Sequence, residues 1–108
     1  MPWYQLLAYF LGGMCVSNAI PHWVSGVLGR PFQSPFASPP GKGLSSSVVN
    51  VLWGAFNFAV GYLLICRVGQ FEIRVTADAA TAGLGALLMA VVAARSFGRF
   101  HGGVLPAK

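Results

Sequence analysis

Charge is scarce in this chain: charged side chains make up 8% of its 108 residues, and only Glu72 and Asp78 are acidic. A soluble domain carries about 25% charged residues, because a small globule is mostly surface. An ordinary water-soluble fold is therefore excluded. Cysteine is scarce as well, and Cys15 with Cys66 cannot staple a secreted disulfide scaffold. The 56% hydrophobic content excludes a disordered chain. No Lys, Arg, Asp or Glu occurs from Met1 to Gly29, from Gly43 to Cys66, or from Ala79 to Ala94. Three apolar runs stand in their place. A crossing of about 30 Å of hydrocarbon takes about 20 helical residues, and backbone polar groups in lipid must pair within their own segment. The runs thus predict an all-α integral membrane protein with three transmembrane helices in a single membrane domain.

The first helix is expected from Trp3 to Ile20, where Pro21 ends it, kinks a longer helix to about Leu28, or opens a separate short fourth helix. It lacks the basic n-region and small-residue cleavage site of a signal peptide. Trp3 and Tyr4 at one end, and His22 and Trp23 at the other, are amphipathic rings suited to the membrane interface. Val48 to Cys66 forms the second helix, with Ser45, Ser46 or Ser47 as its cap. The third covers residues 76–96, with Thr76 as N-cap, Asp78 in the first turn and Arg95 in the last, each matched to the helix dipole. The connections are a Pro-rich loop over 29–43 and a loop over 67–75. A loose tail over 97–108 follows.

Three crossings put Arg30, Lys42, Arg95, Arg99 and Lys108 on one side and Arg67 and Arg74 on the other. The positive-inside rule places the N-terminus outside and the Pro-rich loop and C-terminus in the cytoplasm. In that loop, GRPFQSPFASPPGKG, proline enforces extended backbone. Phe32 and Phe36 have little use in a solvated linker. They suit either a loop lying over its own bundle, plugging its mouth, or a docking strip for a partner. Arg30 and Lys42 suit anionic headgroups, at about 1 kcal/mol each.

Asn50, Gly54, Asn57 and Gly61 recur at steps of four, three and four along the second helix, which places two amides and two glycines on one face. Glycine admits another backbone closely, and an amide in hydrocarbon needs a hydrogen-bond partner. This face is expected to meet protein. Gly12 and Ser17 on the first helix and Gly83 on the third offer small or polar complements. The number of small residues points to self-association. The other reading of the same residues, with Asn18 and Thr81, is a polar path for an ion or small solute.

No catalytic relay is expected, because the two acids and the two histidines, His22 and His101, fall on opposite sides of the bilayer. No metal-ligand set, cofactor fingerprint or nucleic-acid surface is present either. The segments Asn18 to His22, Gly29 to Ala37, Gly43 to Ser47 and Asn50 to Gly54 resemble short uncharacterised bacterial inner-membrane proteins. That resemblance covers about half the chain, implies an inner-membrane location and carries no activity. The chain lacks the membrane-embedded glutamate of small multidrug exporters and the Thr/Ser/Phe-rich motif of fluoride channels. The sequence therefore predicts a small multi-pass protein acting through helix packing, as a homo-oligomer or as an accessory subunit of a membrane complex. The alternative is a small channel or transporter lined by Asn50 and Asn57.

Overall fold

The computed structural model describes residues 2–105. It is all-helical: α1 spans Trp3–Val27, α2 Ser47–Cys66 and α3 Thr76–His101. The α1–α2 connection carries two short antiparallel strands, β1 (Phe32–Gln33) and β2 (Leu44–Ser45), with Phe32 opposite Ser45 and Gln33 opposite Leu44.

Pro21 lies inside α1, which runs on to Val27. The helix neither stops at Ile20 nor yields a separate fourth helix. Ser46 caps α2, its hydroxyl accepting from Val49 N at 3.2 Å. At α3 the N-cap is Val75 rather than Thr76, and Asp78 occupies the first turn. The last turns of α3 correct the expectation of a loose tail from residue 97. Arg95 is not in the last turn, which holds Arg99 and His101; the helix runs to His101, and Gly102, with a φ of 83°, supplies the left-handed C-cap.

Helix α1 is the spine, packing on one side against α2 and on another against α3, while α2 and α3 scarcely meet. The tandem Gly12-Gly13 makes this possible, since adjacent helical residues point about 100° apart. A Cβ at Gly12 would lie 3.1 Å from Gly61 O on α2, whereas one at Gly13 would collide with the Ala82 carbonyl on α3. Gly85 repeats the device from the α3 side, against Phe10 of α1.

The interior is polar or small and the exterior apolar. The four buried residues of α2 are Asn50, Gly54, Asn57 and Gly61. Leu52 and Phe56 on the same helix are 64% and 59% exposed, and Leu84 and Leu87 on α3 are each 60% exposed. Exposed apolar faces this continuous mark surfaces that meet lipid or other protein. Helices α2 and α3 are long and apolar enough to cross a membrane. Helix α1, of 25 residues, has the length without the composition, because Gln5, Ser17, Asn18, Pro21 and His22 interrupt it. A helix flanked on two sides keeps its polar and small residues for its neighbours.

Candidate functional site

At one end of the bundle the Pro-rich loop folds down as a roof, and Asn50 holds it. The Asn50 amide nitrogen lies among three backbone carbonyls, Phe32 O at 3.1 Å, Ser45 O at 3.2 Å and Ser46 O at 3.1 Å, which share its two N–H groups. With the nitrogen so engaged, Oδ1 is the acceptor and His22 Nδ1–H the donor, at 2.8 Å. Asn50 is 0% and His22 2% exposed. The roof has its own bonds. Ser34 and Ser45 hydroxyls pair, Phe36 N donates to Ser34 Oγ, and His101 Nε2 donates to Gln33 Oε1 at 2.8 Å.

Phe32 plugs the mouth of the bundle. Its ring lies 5.5 Å from His22, 4.8 Å from Phe97 and 5.1 Å from His101, on which it stacks. Phe36 does not join it: that ring is 66% exposed and rests edge-on against Trp53. Arg30 and Lys42 are exposed on the loop. Trp23 is exposed, as an interfacial ring would be, but His22 beside it is not; one step of helix turns it inward to Asn50.

Halfway along the bundle, Asn57 Oδ1 accepts from Asn18 Nδ2 at 3.2 Å and Asn57 Nδ2 donates to Trp53 O at 2.9 Å. Asn18 is only half-buried. It faces an open groove of about 290 Å³ that runs over α1 between α2 and α3, lined also by Met14, Cys15, Leu64 and Met89. Asn18 also borders a second hollow, beneath the roof, with His22, Ser34 and Pro40.

The amide-and-glycine face of α2 is thus turned toward α1, not toward α3 or outward. Gly54 approaches Ala19 and Trp23, and Gly61 approaches Gly12 and Val16. Gly83 takes no part in the packing, since a Cβ there would meet nothing within 4 Å. Ser17 lies apart from the amides, in the crevice between α1 and α3 with Pro21, Phe32 and Ala94. Thr81 donates to Ala77 O of its own helix and is not brought to the amides.

The opposite end of the bundle holds a group that the sequence did not single out. Tyr9, 0% exposed, packs edge-on against Phe71 at 5.1 Å, and its hydroxyl lies over Gly69 beside the Gln5 carboxamide. Asp78, 1% exposed, accepts from Glu72 N at 3.0 Å through Oδ2. The Tyr9 hydroxyl and Asp78 Oδ1 are buried without a hydrogen-bond partner among the described residues. Asp78 reads in sequence as a helix-dipole partner; only the fold reveals that Tyr9 meets the same loop.

Among the described residues no three His, Cys, Asp or Glu side chains gather as a metal site. No family model, curated protein or solved structure matches this chain.

Proposed function

We propose that this is a three-span protein of the bacterial inner membrane that works by assembly, as a homo-oligomer or as an accessory subunit of a membrane complex. Its N-terminus is outside and its C-terminus cytoplasmic, following the bias of basic residues. The reading rests on α2 and α3 standing apart over α1, so that the half-exposed Asn18 opens on the groove between them. An amide facing acyl chains is costly, and polar side chains in membrane helices face protein or water. A partner helix laid in the groove would cover Asn18 and bury Met14, Cys15 and Met89. The contact surface proposed here is therefore the groove, not the Asn50–Gly61 face, which α1 already covers. A polar path along Asn50 has less support, because that amide is fully buried and bonded on both its nitrogen and its oxygen.

Filling the groove tests the reading. Cys15→Trp is expected to lower the detergent-corrected mass, or to release a copurifying subunit, while helix content by circular dichroism stays unchanged. Unaltered mass and unaltered companions would refute the groove as the contact surface.

A further inference from the structure

We infer that the hollow beneath the roof binds a small, neutral aromatic ring bearing a hydroxyl, a phenol in its chemistry, whose O–H donates to His22 Nε2. The hollow, of about 360 Å³, is bordered by all three helices and the loop: Asn18 and His22 come from α1, Trp53 from α2, Phe97 from α3, and Ser34 and Pro40 from the roof. That volume lies within the range of small-molecule sites.

The neighbour of His22 fixes its tautomer. The Asn50 nitrogen is spent on backbone carbonyls, so Asn50 Oδ1 accepts from His22 Nδ1–H at 2.8 Å. In the neutral imidazole Nε2 is then a bare lone pair, an acceptor only. The sealed side-chain atoms without a partner among the described residues are the Tyr9 hydroxyl, Trp53 Nε1 and Asp78 Oδ1. His22 Nε2 is not one of them, and the bond to Asn50 engages only the other nitrogen. It therefore opens on the hollow that its ring lines, although His22 as a whole is 2% exposed.

The walls select the occupant. No Asp, Glu, Lys or Arg lines the hollow, so an ion entering it would shed its hydration without a counter-charge. An acceptor-only nitrogen calls for a ligand with a donor. Ser34 does not compete for it, because its hydroxyl is paired with Ser45 and bonded by Phe36 N. Trp53 and Phe97, reaching the hollow from separate helices, suit a flat ring, and an aromatic hydroxyl is a stronger donor than an aliphatic one. This inference does not rest on the assembly reading, since the linings of groove and hollow have Asn18 alone in common.

The test is heteronuclear NMR of the full chain in detergent, labelled at the histidine nitrogens, where His101 supplies the only other signals. The probe is para-cresol, and its comparator is para-methylanisole, the same ring with the donor methylated. The phenol is expected to shift His22 Nε2 saturably and Nδ1 little. The ether is expected to bind about tenfold more weakly, the loss of one buried hydrogen bond. In His22→Phe the two compounds are expected to bind equally by equilibrium dialysis; should that variant fail to fold, the unaltered chain decides alone. Equal affinity of the unaltered chain for phenol and ether would overturn the site. So would a His22 Nε2 that para-cresol leaves unmoved, as when the hollow holds water only, or one that already carries a proton without ligand. A para-decylphenol arm, corrected for empty micelles, distinguishes the sources: tighter binding than para-cresol assigns a membrane-dissolved phenol, and equal binding a water-borne one.

Discussion

The two ends of this bundle are built from similar materials and finished differently. Under the roof, His22, Gln33, Ser34 and Asn50 are all buried, and each has a hydrogen-bond partner. The exception there is the Trp53 indole N–H, which has none among the described residues. At the far end, Tyr9 and Asp78 are as deeply buried, yet each leaves an oxygen unpaired among the described residues. A saturated polar network rigidifies, and adding or removing any member costs stability. An unsaturated one holds its cost in reserve and releases it to whatever supplies the missing bond. The first end is therefore a latch, and the second is an unsaturated polar cluster.

Three substitutions break or sharpen that contrast, with effects on unfolding free energy in detergent that fall in order. Asn50→Leu strikes the latch at its centre, removing the side-chain donor from Phe32 O and Ser45 O and stranding the His22 N–H, while Ser46 O keeps its bond from the residue-50 backbone N–H. A loss of about 4 kcal/mol is expected, from several buried groups at about 1–3 kcal/mol each with partial relaxation. Protease sensitivity between residues 29 and 46 should rise with it. His22→Leu leaves only Asn50 Oδ1 unpaired and also removes a ring from the Phe32 cluster, so about 2 kcal/mol is expected. Tyr9→Phe deletes a hydroxyl that has no partner to lose among the described residues. The expected change is within about 0.5 kcal/mol of zero or is stabilising. A large loss there would make the two ends alike and erase the distinction.

Much of the architecture was legible in advance because lipid imposes strong rules. Asn50, Gly54, Asn57 and Gly61 share a helix face by spacing alone, and those four are the buried residues of α2. The plug formed by Phe32 follows from an aromatic ring placed among prolines beside a membrane. What spacing does not carry is the identity of the neighbour. Small residues on α1 and α3 look alike by composition, so Gly83 and Gly85 were indistinguishable as contact points. They lie about 200° apart around the helix, and the one at residue 85 touches α1 while the other faces open space. His22 was misplaced for a related reason. Trp23 beside it belongs at an interface, but adjacent helical residues do not share an environment. The Tyr9–Asp78 site was hidden because its members are far apart in sequence and form no repeat. The expectation of three spans is met for α2 and α3 alone by length and composition, since α1 contacts protein on two sides and carries amides, a proline and a histidine.

The tandem Gly12-Gly13 has a consequence for how the molecule comes together. Because α2 and α3 each dock on α1 and hardly on one another, their attachments are nearly separable, and α1, the first of the three in chain order, serves as the template for both. A chain cut after Cys66 would retain the α1–α2 hairpin and its roof anchor at Asn50. It would forfeit the Phe97 and His101 contacts to Phe32 and the whole of the Tyr9–Asp78 end. Attachment thus comes in two parts, and α3 is the helix that completes the Tyr9–Asp78 end.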